Sequence, residues 1–450
     1  MSVPILKRFF GLYKRFQLTS SPQINLVWGF FLYTLFGFLL LMLPFFHKES
    51  VSILNHLFIA TSAISTTGLV TVDIYNTYNF GGQLLVMVLF QMGGIGYMTL
   101  TTYYLLLTTQ KLTRWHSSVI GAEFTIPKSI KIRDFIKSAV VFTVIMEFLG
   151  AIAFYVAFSR YDNMNLGETI WFSIFHSVSA FCTAGFSLFP NSFESFRNDG
   201  FINAIISILA ISGSLGFIVI TDLWYRLRKK TNSISFTTKI VLIGFLVLLT
   251  LGTLLFVLKE GTNDSRISFL LPSFFQAMTS MTTVGFNTLP IGELSLPVLL
   301  MIIFLMYIGA SPSGTAGGLK ITTLTAMLAV LKSRLTGQKQ ITFLYRKIPF
   351  ERLYVATSTF ILYTSIIFLF TFLLSFTEEQ AFEKILFEVA SALGTVGLST
   401  GITGELSNFG KIAITVLMFL GRVGVLTFGF ALLQRRKGDE IDSVSDDLAV

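Results

Sequence analysis

The stretches SAISTTGL (62–69), SAFCTAGF (179–186), TSMTTVGF (279–286) and SALGTVGL (391–398) are one phrase written four times. Each has Ser or Thr first, a small residue second, an apolar third, Thr fifth, Gly seventh, and Leu or Phe last. The glycines, Gly68, Gly185, Gly285 and Gly397, stand 117, 100 and 112 residues apart. An interval near a quarter of the chain marks four copies of one structural unit, and such repeats decide an architecture before local propensities do.

The surrounding sequence is 53% hydrophobic, 13% charged, and carries 48 Phe. Soluble domains run nearer a quarter charged, so the four units are membrane units. Cys182 is the single cysteine, which excludes an internal disulfide and a cysteine-built zinc cluster. The first apolar run, 24–46, is too long for a signal-peptide core and matches a bilayer span. The net charge of +9 gathers in short segments between apolar runs, as topogenic charge does. No basic face with interleaved aromatics appears, so no nucleic acid is expected as a partner.

Each unit reads as a span, a short apolar segment, the phrase and a second span. Repeat 1 (24–108) has spans at 24–46 and 83–107 and a short segment at 53–64. Repeat 2 (139–226) has 139–158, 168–181 and 202–225. Repeat 3 (239–335) has 239–258, 270–281 and an interrupted stretch over 296–331. Repeat 4 (352–434) has 353–376, 382–393 and 410–433. A basic amphipathic lead (1–23) is expected at the cytoplasmic surface, and a cytoplasmic tail (435–450), acidic over 438–450, at the other end.

Twelve helical residues extend about 18 Å, too little to cross a hydrocarbon core of about 30 Å. The short segments therefore enter halfway and return, and non-helical backbone at that depth must be buried in protein or line water. The expected fold is an all-α integral membrane protein with eight full spans and four re-entrant half-helices around one pseudo-fourfold pore. The segments 1–23, 108–138, 226–239, 332–352 and 435–450 hold 24 of the 33 Lys and Arg. The opposite side holds only Lys48, Arg160, Arg197, Lys259, Arg266, Lys384 and Lys411. That asymmetry puts both termini in the cytoplasm and the four phrases toward the outside.

Four half-helices ending on one axis would converge backbone carbonyls, which replace the hydration shell of a monovalent cation. Glycine supplies the positive φ that turns successive carbonyls one way, and the helix C-termini add partial negative charge. The candidate cation-binding residues are Thr66, Thr67 and Gly68; Thr183, Ala184 and Gly185; Thr283, Val284 and Gly285; Thr395, Val396 and Gly397. A single Thr-x-Gly would be an ordinary loop tripeptide with a capping glycine; four in equivalent contexts are not.

The interruption in repeat 3 reads GASPSGTAGGLK (309–320). Pro312 removes a helix donor and the glycines unwind what remains, leaving two half-helices joined by a flexible loop at membrane depth. Residues 310–318 (Ala310, Ser311, Pro312, Ser313, Gly314, Thr315, Ala316, Gly317, Gly318) are the candidate gate, and a plain packing kink is the weaker reading. The stretch is no P-loop, because Leu319 separates Gly318 from Lys320 and no strand precedes it. Arg422 lies mid-span, too deep to snorkel, and intramembrane charge is costly and by default functional. It either borders the pore beside the gate or braces the broken helix. Glu147 is balanced between function and helix contact, and His56 and His176 on the half-helices lack a third metal ligand. Gly93, Gly94 and Gly96 indicate close helix packing. Asp222, Glu123 and Glu351 read as solvated charges at cytoplasmic ends.

The four phrases resemble those of the Trk/Ktr/HKT superfamily of potassium transporters, most closely the membrane (pore) subunit of bacterial Ktr systems, over about 24–433. That resemblance implies four filter glycines, a gating loop at 310–318, and Arg422 beside it. In the plant branch, serine at the first glycine position accompanies sodium selectivity, so Gly68 implies potassium. The segments Thr283-Val284-Gly285-Phe286 and Thr395-Val396-Gly397-Leu398 are similar to the potassium-channel TVGYG; Cys182-Thr183-Ala184-Gly185 departs furthest. The resemblance further implies a homodimer in the cell membrane and a cytoplasmic ring of nucleotide-binding regulatory subunits. No cofactor resides in the chain: K+ is the transported ion, Na+ dependence stays open, and a nucleotide acts only through the partner. A carrier working by alternating access is the alternative, and no nucleophile–base pair or metal set marks an enzyme.

Overall fold

The computed structural model describes residues 20–96, 99, 103, 132–161, 164–228, 233–261 and 268–433. The basic lead before residue 20, most of the 108–138 segment with Glu123, and the tail 435–450 lie outside them. The first unit has α1 (Pro22–Leu41), α2 (Ile53–Ile64) and α3 (Phe80–Ile95). The second has α4 (Ile132–Phe158), α5 (Leu166–Phe181), α6 (Gly200–Ser214) and α7 (Gly216–Leu227). The third has α8 (Phe236–Glu260), α9 (Leu270–Thr282), α10 (Leu296–Tyr307) and α11 (Ile321–Leu335). The fourth has α12 (Phe350–Leu374), α13 (Phe382–Gly394), α14 (Asn408–Val423) and α15 (Val425–Leu433).

The start signals are local. Ser21, Ser52, Asn79, Ser235 and Ser407 cap α1, α2, α3, α8 and α14 by accepting a backbone N–H. Asn165 and Glu168 form a reciprocal capping box on α5. The short helices α2, α5, α9 and α13 run 12, 16, 13 and 13 residues. Each packs between the long helix before it and the helix after it.

The third helix of each unit also packs on the short helix of the next. Thus α3 meets α5, α6 meets α9, α10 meets α13, and α14 returns to α2. The four short helices are thereby enclosed in one closed circuit, and the last two turns of each, leading into its phrase, are largely buried.

One expectation needs correction. Against the eight full spans expected, the second of repeat 3 interrupted, four helices among the described residues are long and apolar enough to cross a membrane: α1, α4, α8 and α12. The count reaches six if each bent pair is taken as one span. The pair α6 and α7 bends by 90° and the pair α14 and α15 by 94°. Helix α3 ends at Ile95 with Gly96 as its cap, so the helix that follows the phrase stops short in every unit and not only in the third. The cause is a pattern that reads Gly-x-x-Gly: Gly93 to Gly96, Gly213 to Gly216, and Gly421 to Gly424. The second glycine of each takes positive φ (85°, 84° and 90°), which only glycine adopts at little cost.

The first glycine of each pair allows close approach. A Cβ on Gly93, Gly213 or Gly421 would collide with the carbonyl oxygen of Ile64, Phe181 or Leu393, the third residue of the phrase in its own unit. The obstacle is backbone, so it cannot rotate away. Gly213→Val is expected to cost more than the ~1–3 kcal/mol of ordinary overpacking. Thermal unfolding in detergent checks this against Gly200→Ala, where a Cβ meets nothing within 4 Å.

Candidate functional site

All four phrases fold alike. The fifth residue, Thr66, Thr183, Thr283 or Thr395, ends its short helix in the left-handed region, with φ of 52°, 50°, 57° and 49°. A β-branched residue there is a genuine outlier, and strain of this kind costs ~1–3 kcal/mol per residue and clusters at functional sites. The glycine two residues on has φ of 89°, 69°, 80° and 91°. The sixth residue's N–H returns to the carbonyl of the phrase's first residue at 2.8 to 3.2 Å in every unit.

That first residue is Ser or Thr because its hydroxyl ties the loop. Ser62 and Ser391 each accept the glycine N–H, from Gly68 and Gly397, at 3.1 Å. Ser179 and Thr279 instead donate to the Phe186 and Phe286 carbonyls at 2.8 and 2.7 Å.

The four glycines form a closed ring in chain order. A Cβ on Gly68 would lie 3.0 Å from the Gly185 Cα, one on Gly185 3.3 Å from Gly285, one on Gly285 3.1 Å from Gly397, and one on Gly397 3.1 Å from Gly68. The same Cβ atoms would overlap the carbonyl oxygens of Ala184, Val284, Val396 and Thr67, the residue before each neighbouring glycine. Four backbone oxygens at equivalent positions therefore stand where four loops meet.

On one side of the ring opens a cavity of about 440 Å³ lined by all four glycines. Among the described residues its wall includes the carboxylates Asp73 and Glu194 and no lysine or arginine. On the other side sits the loop between α10 and α11. A two-residue parallel pairing of Ile308–Gly309 with Leu319–Lys320 closes its base. The loop reaches the threonines: the Thr183 hydroxyl donates to Thr315 Oγ1 at 3.0 Å, and Gly317 N–H donates to Thr283 Oγ1 at 3.0 Å. A Cβ on Gly317 would overlap Thr395 Oγ1. Arg422 completes the set, donating to Thr66 Oγ1 at 3.1 Å, to the Thr315 carbonyl at 2.8 Å, and to the Gly93 and Gly94 carbonyls. Arg422 thus lies beside the loop and is bonded to backbone carbonyls of the first and third units.

The loop expected to be flexible is pinned. Lys320 Nζ donates to the Ala316 and Gly317 carbonyls at 2.5 and 2.8 Å, the Ser313 carbonyl accepts from Phe217 N–H at 3.1 Å, and Thr315 N–H donates to the Gly213 carbonyl at 3.1 Å. Glu147 lies behind the second phrase, accepting from Gln91 Nε2 at 3.0 Å, while Cys182 Sγ contacts Gln91 Oε1 at 3.2 Å. Glu351 is exposed. Asp222 is buried, not solvated as its sequence position implied, and accepts the Ser235 N–H at 2.8 Å.

Comparison with known proteins follows the same plan. The family model of TrkH, described as cation transport protein, matches residues 30–437. The chain belongs to the TrkH family of cation transport proteins. Within the family it is 35% identical to the Ktr system potassium uptake protein B of Vibrio alginolyticus, over 87% of each chain. It is 34% identical to the Ktr system potassium uptake protein B of Bacillus subtilis, over 93% of this chain and 94% of that one. It is also 34% identical to the potassium/sodium uptake protein NtpJ of Enterococcus hirae, with the same shares. The fold is similar to the crystal structure of the potassium transporter TrkH from Vibrio parahaemolyticus, with a TM-score of 0.75 at 19% identity, covering 92% of this chain and 85% of that one. These TrkH-family relatives are ion transporters, so the chain is a membrane transport protein and not an enzyme.

Proposed function

We propose that the chain takes up potassium across the cell membrane through a selectivity filter made by Gly68, Gly185, Gly285, Gly397 and the oxygens beside them. The single observation that carries this reading is the closed ring of four positive-φ glycines, each against the backbone of the next. Its mouth, lined among the described residues by Asp73 and Glu194 and by no lysine or arginine, favours cations. An inside-negative potential supplies about 2.3 kcal/mol per charge per 100 mV, so uptake proceeds down the electrochemical gradient without hydrolysis. The loop 310–318 is the gate, and Arg422 and Lys320 are the fixed cations that hold it. Alternating access requires two halves that rock apart, and a circuit closed through all four units opposes that motion.

The functional assembly in this reading is a homodimer in the plasma membrane with both termini cytoplasmic, regulated by a ring of nucleotide-binding subunits on the basic loops. Rubidium uptake into a host deficient in potassium uptake tests the proposal. Expression is expected to give saturable uptake that excess K+ suppresses more strongly than excess Na+. Uptake no greater than in the empty host, with the protein present in the membrane, would refute it.

A further inference from the structure

Each short helix carries one residue a single turn ahead of its phrase, three positions before the first Ser or Thr. These are Ile59, His176, Gln276 and Glu388, and all four are buried. A buried helical position ordinarily takes an apolar side chain, because an unsatisfied polar group there is costly. Three of the four are polar nonetheless, and their polar atoms go to equivalent places.

Nε2 of His176 accepts the Leu188 N–H at 3.2 Å and lies 3.2 Å from the Ser187 hydroxyl. Its Nδ1 lies 2.8 Å from the Phe172 carbonyl, so the ring donates backward and accepts forward. Gln276, with its amide oxygen turned to the loop, accepts the Thr288 and Leu289 N–H groups at 3.1 and 3.2 Å. Glu388 Oε1 accepts from the Ser399 hydroxyl at 3.2 Å and from the Thr403 hydroxyl. Apart from the Phe172 carbonyl behind His176, the partners all lie on the segment leaving the ring, two to six residues beyond Gly185, Gly285 or Gly397. Unit one uses another device: Ile59 is apolar, and His56, one turn earlier, meets the Tyr78 hydroxyl at 2.9 Å.

We propose that His176, Gln276 and Glu388 are positioning residues of one kind, each clamping the outgoing strand to the half-helix before it and so fixing the spacing of the ring oxygens. The proposal rests on the ring being the selectivity filter. Groups one shell out orient the groups that touch an ion, and ion discrimination depends on how firmly the oxygens hold their spacing and number. A leucine would fill the same space, yet it would orphan the N–H or hydroxyl donors of the strand.

The test is the K+ to Na+ permeation ratio of the full chain in liposomes. Gln276→Leu and Glu388→Leu are expected to lower the ratio about fivefold, the scale of one lost hydrogen bond. Glu388→Gln and His176→Gln, which install the residue unit three already uses, are expected to keep it within about twofold. A purely structural role would lower the melting temperature and leave the ratio of surviving protein unchanged, which would overturn the proposal. If a leucine variant yields no monodisperse protein, Ser399→Ala with Thr403→Val removes the Glu388 bonds from the strand side and must lower the ratio likewise. Gly285→Ala is run in parallel. A ratio altered by Gly285→Ala alone defeats the clamps but spares the filter; a ratio altered by neither defeats both.

Discussion

Alanine in place of Gly285 is expected to cut cation flux about a hundredfold, equivalent to roughly 2.7 kcal/mol at the rate-limiting barrier. Gly285 has φ of 80°, and a side chain there costs ~1–2 kcal/mol through its own backbone. The neighbouring loop imposes the greater penalty: the new Cβ would overlap the Val396 carbonyl and lie 3.1 Å from the Gly397 Cα. Neither is a side chain that can move aside, so the ring must open at that joint. The same holds at Gly68, Gly185 and Gly397, whose Cβ positions are occupied by the next loop's backbone. Gly337 separates backbone strain from collision, since it has φ of 63° and nothing within 4 Å. Gly337→Ala is expected to leave flux within about twofold of wild type while lowering stability by ~1 kcal/mol. Liposome flux assays on purified protein check both.

Deleting residues 312–317 is expected to raise flux at least tenfold and to abolish closure. The loop is held to Thr183, Thr283 and Arg422 beneath the ring and to the Gly213 carbonyl beside it. Neutral bonds of this kind contribute about 1 kcal/mol each, and bonds to a charged donor about 1.5–3 kcal/mol. Together they leave an open arrangement only a minor population. Arg422→Ala removes one bond to the loop, at the Thr315 carbonyl, together with three that anchor the guanidinium to Thr66, Gly93 and Gly94, and is expected to give an intermediate rise. Stopped-flow flux in liposomes, without any partner protein, distinguishes the three. A deletion that conducts no faster than wild type would show that the loop is packing and not a gate.

The fourfold phrase is legible in the sequence because one backbone task recurs: a helix must stop in a left-handed threonine and a glycine must follow. The short helices are legible too, since 53–64 is the observed α2 and 270–281 falls within α9. The bends are not, although Gly-x-x-Gly recurs in three units, because the runs on either side are apolar enough to read as one span. In repeat 3, proline and extra glycines make the same break visible. The contacts of Arg422 lie beyond sequence because they join Thr66, Gly93 and Thr315 across three units. Asp222 departs from its expected exposure for a related reason: its partner Ser235 stands 13 residues on, at the cap of the next helix, a pairing that no local pattern announces. The polar residues one turn before the phrases are visible as letters, but His, Gln and Glu share no chemical class until their common partner strand is seen.

The most direct measurement is anomalous diffraction from crystals grown in thallium or rubidium salts. A peak is expected on the axis bounded by the carbonyls of Thr67, Ala184, Val284 and Val396, displaced by excess K+. Ions found only in the outer cavity, with none among those four oxygens in crystals of an actively conducting protein, would contradict it.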